Sequence, residues 1–391
     1  MFPKLSDLIN HLLGSQIDLP IQTYGFFLAL AFATGGFILR AELKRKEKEG
    51  LLFPRTHTIH PNKPASWFEF ITGLIISSLI GWKFFGIIFN YHEFAANPQK
   101  YVVSGKGSIV ALLIIFIVSL TYHFYTLFSA KKIEDQDQEE IIHPYENTWN
   151  IMIVAIVSAI IGSKLFDIFD NFSSFLHDPV HSLISFSGLT FYGGFIVTVI
   201  VLLFYMRVIR LDWKQVIDSS APVIMIGYAV GRLGCHFSGD GCWGIVNTLS
   251  QPHWLAWLPD WLWASNYPHN VANQGVPIAG CLGPNCMVLD NPVFPTSLYE
   301  SIFSFILFGI LWVMRKRIKA PVVLFGLFMI LNGAERFWIE KIRINHKYNL
   351  LGFQLTQAEF ISAFLILTGI AVMIFFFKRY KSEIRKTAEH E

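Results

Sequence analysis

The last long apolar stretch of the chain reads AEFISAFLILTGIAVMIFFF from Ala358 to Phe377, with Lys378, Arg379 and Lys381 directly after it. A helix needs about 20 such residues to cross ~30 Å of hydrocarbon, so this stretch reads as a transmembrane helix with basic residues at its exit. Eight similar stretches precede it, roughly at 22–39, 68–90, 107–129, 149–170, 190–206, 217–235, 297–314 and 321–338. The expected fold is all-α and polytopic, with seven to nine spans and nine favoured, because the sixth and eighth are short or interrupted by polar residues. Composition agrees: of 391 residues 53% are hydrophobic and 15% charged, with 37 Phe and 11 Trp, and mean hydropathy is +0.46. Soluble chains carry about 25% charged residues. A disordered, collagenous or small disulfide-scaffold protein is excluded, and a formal net charge of +3 is too small to argue for nucleic acid as a partner.

Lysine and arginine set the expected orientation. With the N-terminus outside and the C-terminus inside, about two thirds of the 31 basic residues fall in segments on the inner side. The positive-inside rule favours that arrangement. Residues 1–21 are expected to form an amphipathic arm, 22–235 the first six helices, 236–296 an extracytoplasmic head, 297–378 the last three helices and 379–391 a cytoplasmic tail. Within the first block an internal duplication appears at an offset of 81 (68–98 against 149–179). Ile75, Ser77, Ile80, Gly81, Lys83, Phe85, Ile87, Asn90 and Pro98 recur as Ile156, Ser158, Ile161, Gly162, Lys164, Phe166, Ile168, Asn171 and Pro179. The acidic run from Glu134 to Glu140 reads as a solvated loop.

The head is rich in Pro and Gly, yet Trp254, Trp257, Trp261 and Trp263 crowd its first half, which suits a loop lying in the headgroup layer or a packed subdomain. All four cysteines, Cys235, Cys242, Cys281 and Cys286, fall in this outer region. Two bridges and three connectivities are open. Cys235, His236, Asp240 and Cys242 together hint at a metal, but no second ligand pair supports one, so the expectation is no metal and no cofactor.

Four cations lie inside expected spans: Lys83, Lys164, Arg232 and Arg336. Each costs ~2.5–3.5 kcal/mol to bury there. Snorkelling or pairing with Asp167, Asp170, Glu335 or Glu340 is the bland reading for any one of them. For both arginines at once, the sharper reading is an anion site at outer-leaflet depth, most simply for a phospholipid phosphate. The window Gly231-Arg232-Leu233-Gly234-Cys235-His236-Phe237-Ser238-Gly239-Asp240-Gly241-Cys242-Trp243-Gly244 ends an outward helix in a glycine-rich turn. There, backbone N–H groups can face an anion. Phe191-Tyr192-Gly193-Gly194, Pro295-Thr296-Ser297-Leu298-Tyr299-Glu300 and Asn332 to Glu340 are expected at the same depth.

These windows, in this order, resemble the bacterial prolipoprotein diacylglyceryl transferases. The family signature Gly-Arg-x-Gly-Asn-Phe-x-Asn-x-Glu followed by Gly is similar in outline to Gly231 to Gly244. Tyr24-Gly25, Phe191 to Gly194, Pro295 to Glu300 and Arg336 to Arg343 stand for its other landmarks. Cys235 and Ser238 occupy its asparagine positions, and Asp240 replaces its glutamate with one residue inserted before the closing glycine. Tyr192 replaces its histidine, and Asn332 a tyrosine.

The resemblance implies an enzyme of the bacterial inner membrane that moves the diacylglyceryl group of phosphatidylglycerol to the lipobox cysteine of a preprolipoprotein signal peptide. A thioether forms and glycerol phosphate leaves. Arg232, Arg336, Asp240, Tyr192 and Glu340 are the expected catalytic residues; Tyr24, Lys164, Gly193, Gly194, His236, Ser238 and Glu300 the expected substrate-binding ones. Attack by sulfur with phosphate leaving needs a base and positive charge where phosphate gains charge. The base, His236 or a carboxylate, stays open. Bland alternatives are an interfacial-belt Tyr192, Glu300 as a helix-start charge, Tyr24-Gly25 as packing and His236 as a solvated loop residue. The competing function is a lipid transporter or scramblase; its pathway needs polar groups through the inner half of the bilayer, where these spans are nearly uniformly apolar.

Overall fold

The computed structural model describes residues 1–59, 67–96, 101–102, 104–130, 138–184, 190–345, 347–350 and 353–388. The short helix α1 (Leu5–Leu13) lies within the expected N-terminal arm. Among the described residues a helix then stands at each apolar stretch: α2 (Thr23–Lys48), α3 (Trp67–Phe89), α4 (Ile109–Ala130), α5 (Thr148–Asp170), α6 (Phe191–Val208), α7 (Trp213–Ser238), α8 (Thr296–Met314), α9 (Val323–Ile339) and α10 (Gln357–Ala388). Six helical stretches are long and apolar enough to cross a bilayer, within 23–48, 70–89, 144–170, 213–238, 296–314 and 357–386; Ile109–Tyr122 and Tyr192–Val208 are shorter apolar helices. The chain is thus mostly helical and polytopic.

Three antiparallel ribbons qualify the all-α expectation: β1 (Arg55–Ile59) with β2 (Gln138–Ile142), β3 (Val276–Pro277) with β4 (Met287–Val288), and β5 (Lys347–Leu350) with β6 (Phe353–Thr356). Two boundaries also move. Helix α7 runs on through Ser238, so the head begins later than 236, and α10 continues as helix through most of the expected tail. Pro98 and the start of the acidic run, 134–137, lie outside the described residues.

Two compact units form. The smaller comprises Pro54–His143 and Asp178–Ser185. In it α3 and α4 pack antiparallel, with Ser77 Oγ 2.9 Å from Ser119 Oγ. A Cβ on Gly86 would stand 2.6 Å from Gly107 Cα, so the backbones nearly touch. Lys83 Nζ donates to the carbonyls of Tyr101 (3.0 Å), Lys106 (2.8 Å) and Ser104. It therefore holds the chain that leads into α4.

The larger unit comprises Met1–Phe53, Pro144–His177 and Phe186–Glu391. Here α5 and α6 pair as α3 and α4 do: Ser158 Oγ lies 3.3 Å from Thr198 Oγ1, and a Cβ on Gly162 would meet Gly193 O at 2.5 Å. Small residues let helices approach closely where lipid offers no hydrophobic drive. Helix α7 is the hub, packed on α2, α8 and α9, with α10 laid along α9. Ala221, Met225, Leu311 and Leu324 fill the contact of α7, α8 and α9.

One end of this bundle is closed by charge. The Glu42 carboxylate near the end of α2, 1% exposed, pairs with Arg45 and at 2.8 Å with Arg315, just past α8. Lys46 Nζ donates to Gln215 O (2.7 Å) and Oε1 (3.0 Å) at the start of α7. Asp218 accepts the N–H groups of Val322 (2.8 Å) and Phe325 (3.0 Å) at the start of α9. Val322 sits at φ 68°, rare for a β-branched residue, and the Asp218 bond holds it there.

Candidate active site

At the opposite end of the bundle, Gly239 (φ 66°) ends α7 in the left-handed region and Gly241 (φ 96°) turns the chain again. Gly244 then meets the segment that follows α9. Ile245 N–H donates to Ile342 O (2.9 Å), and Gly244 pairs with Arg343 as a β-bridge. A Cβ on Gly244 would stand 2.4 Å from Ile342 O. The absence of a side chain there is what brings Arg343 to the bundle end.

Glu300, in the second turn of α8, is 0% exposed and lies at the centre. Arg232 Nε from α7 stands 2.5 Å from its Oε2; Arg336 from α9 and Arg343 beyond it each stand 2.8 Å from Oε1. The Tyr228 hydroxyl donates to Oε2 at 3.2 Å, and the Arg232 guanidinium lies over the Tyr228 ring, 5.0 Å from its centroid. Glu340 stands 3.4 Å from Arg336 and 3.8 Å from Arg343, and accepts a hydrogen bond from Asn345. Three cations thus share two directly paired carboxylates, which leaves one positive charge over. Each guanidinium carries five N–H donors, so donors remain for a second anion. Glu335 adds a carboxyl in electrostatic reach that makes no hydrogen bond among the described residues.

The two arginines expected to meet do meet, but the anion between them is the protein's own Glu300. Nor is Glu300 a solvent-facing charge at a helix start. His236 is corrected as well: it is not a solvated loop residue but lies in the last turn of α7, 3% exposed. Its Nδ1 is 3.1 Å from the Tyr267 hydroxyl, and its ring stacks on Trp261. Burial pushes the Tyr267 phenol well above its ordinary range, so it stays protonated. Ser238 Oγ turns back into α7, donating to Gly234 O at 2.8 Å. Asp240 Oδ1 accepts the Cys242 N–H at 3.1 Å.

Tyr24, 42% exposed at the start of α2, lies beside Gly234 and in electrostatic reach of Arg232 and Asp240. Gly193 and Gly194 stand elsewhere, in the α5–α6 crossing, where a Cβ would meet Phe166 at 2.4 Å or Ser163 Oγ at 2.4 Å. Tyr192, at the same helix start, is exposed, and Lys164 Nζ is 3.1 Å from Asp167 Oδ2. Arg343 and Tyr228 were missing from the expected set. Tyr228 stands one helical turn before Arg232, and Arg343 closes the quoted Arg336 to Arg343 element; either spacing was a usable signal.

In the head, Trp243, Tyr267 and Val293 form a small core. Trp254 and Trp257 are exposed, and the Tyr299 hydroxyl ties the helical turn after them to α8 through Leu262 O at 2.7 Å. Cys281 and Cys286 are disulfide-bonded, whereas Cys235 and Cys242 are free thiols. A hydrogen bond from Cys235 holds the Cys242 thiol below its ordinary value.

Bilayer-length helices that gather partly buried arginines around a buried carboxylate at one shared end define a polytopic membrane protein with a cationic site. The family model for prolipoprotein diacylglyceryl transferase matches residues 112–375. The chain belongs to that family. It is 26% identical over 266 residues to the phosphatidylglycerol–prolipoprotein diacylglyceryl transferase of Leptospira interrogans, covering 62% of this chain and 72% of that one. With proteins of the same name it shares 28% over 285 residues in Clostridium novyi (71% of this chain, 95% of that one), and 27% over 302 residues in Dehalococcoides mccartyi (75% and 96%).

Proposed function

We propose that this protein transfers the diacylglyceryl group of phosphatidylglycerol to the lipobox cysteine of preprolipoproteins, in a bacterial inner membrane. The arginine end of the bundle then faces the extracytoplasmic side, with the N-terminus out and the C-terminus in. The distribution of Lys and Arg supports that orientation. Family membership supports the reaction.

One observation carries the reading: Arg232, Arg336 and Arg343, from two helices and the segment beyond, converge on buried Glu300. Glu300 pre-positions three forks that would otherwise repel one another, and the charge left over meets the lipid phosphate. The substrate sulfur attacks the glyceryl carbon, a C–S bond forms, and the C–O bond to phosphate breaks with its electron pair kept by the phosphate oxygen. The guanidinium groups stabilise charge developing on that oxygen. The thiol proton passes to a carboxylate and finally to the departing phosphate. Glu340, whose Oε2 is buried without a hydrogen bond among the described residues, is our assignment for that carboxylate. Half-exposed Tyr24 and Tyr192 are assigned to lipid contact.

The test is complementation of a strain depleted of its own transferase, scoring thioether-lipidated lipoprotein by mass. Rescue by the native chain and failure of Arg232→Ala at equal expression is the expected outcome. No rescue by the native chain would point to a different acceptor or to lipid transport.

A further inference from the structure

The turn that follows α7 brings Cys235, Asp240 and Cys242 together, with the two Sγ atoms and a carboxylate oxygen all within 4.8 Å of one another. The reaction proposed above uses neither thiol. Donors around a tetrahedral zinc ion stand roughly 3.3–3.8 Å apart, given bond lengths of about 2.0–2.3 Å. The three atoms are therefore within small side-chain adjustments of a ligand set. Positive φ at Gly239 (66°) and Gly241 (96°) folds the chain back so that residues seven apart can meet. Cys235 is 8% exposed, and Asp240 spends one oxygen on the Cys242 N–H, which fixes its carboxylate and leaves the other oxygen for a ligand.

Charge agrees with geometry. Two thiolates and one carboxylate bring three negative charges and a divalent ion returns two. The Arg232 guanidinium, with Nη1 4.0 Å from Cys235 Sγ, stands beside the remaining negative charge while its Nε stays on Glu300.

We propose that Cys235, Asp240 and Cys242 bind one thiophilic divalent cation of the zinc type, with its fourth position open. The ion ties the last turn of α7 to the first residues of the head, beside the arginine cluster. This replaces the expectation, drawn from sequence spacing, that the chain binds no metal.

The experiment uses the full chain in detergent, in a Cys281→Ser/Cys286→Ser background so that only this pair of thiols remains, under a phosphine reductant. Titration with Co²⁺ should saturate at one ion per chain with a thiolate-to-cobalt charge-transfer band, and Zn²⁺ should displace it. Cys235→Ser and Cys242→Ser should each abolish the band while thermal unfolding of the apo chain stays unchanged. Asp240→Asn should weaken affinity by about 10–100-fold. Absence of the band, a band that persists in Cys242→Ser, or a Cys235–Cys242 disulfide in the chain purified without reductant would each overturn the proposal. The readout is metal binding, so its failure leaves the transferase reading untouched.

Discussion

The α2–α7–α8–α9 bundle is closed at both ends by a buried carboxylate gripped by arginines, and the two closures differ in their charge balance. At one end Glu42 holds Arg45 and Arg315, while Glu49 takes a second bond from Arg45. Lys46 and Asp218 complete the group. Among directly paired groups, two cations, Arg45 and Arg315, face two carboxylates, Glu42 and Glu49. At the other end Arg232, Arg336 and Arg343 outnumber Glu300 and Glu340. The same device makes a balanced clasp in one place and, in the other, a cluster with one charge in excess, the end to which we assign the lipid phosphate. What sets the proposed site apart is therefore the imbalance, not the burial of charge.

Substitutions can break or sharpen this contrast. The largest effect is expected for Glu42→Ala, which leaves the partly buried Arg315 guanidinium without its carboxylate and Arg45 with Glu49 alone. It should lower stability by about 3–5 kcal/mol, read by thermal unfolding in detergent, while activity per folded molecule stays within a few-fold. A collapse of activity without loss of stability would show that the balanced end is not merely a clasp. Next comes Arg343→Ala, the residue missing from the expected set. Losing one transition-state donor should cost ~2.7–4 kcal/mol, or at least about 100-fold in turnover, with little change in unfolding temperature. Asp218→Asn weakens the bonds that hold Val322 and Phe325 and should cost ~1 kcal/mol, visible as a small drop in unfolding temperature alone. Least is expected of Lys164→Met, which removes a partly buried ion pair with Asp167 worth ~1 kcal/mol or less. A large loss of lipid transfer in that variant would return Lys164 to the site.

The helices were legible because the bilayer imposes a length, and a run such as Ala358 to Phe377 can do little else. The meeting of Arg232 and Arg336 was legible too, since two desolvated cations at one depth demand a shared anion. That the anion is Glu300 was not, because a carboxylate in the second turn of a helix looks the same whether it faces solvent or three arginines. Arg343 is legible only as the end of the Arg336 to Arg343 element; its route to the cluster, a backbone bridge to Gly244, leaves no periodicity in sequence. The resemblance places Gly193 and Gly194 among the substrate-binding residues, and in the structure their missing side chains make room for Phe166 and Ser163. The paired Ser77 and Ser119, like Ser158 and Thr198, give the duplicated hairpins one contact pattern. Yet Gly86 stands where Asp167 pairs with Lys164, so equivalent lysines end with different partners.

The bridge between Gly244 and Arg343 makes the head part of the electrostatics. One of three positive charges is supplied on a short leash of main-chain hydrogen bonds, so any displacement that unfastens the leash withdraws a third of the cationic field at a stroke. A side chain of even one carbon at Gly244 would work as a wedge under that fastening, detuning the cluster through the main chain alone.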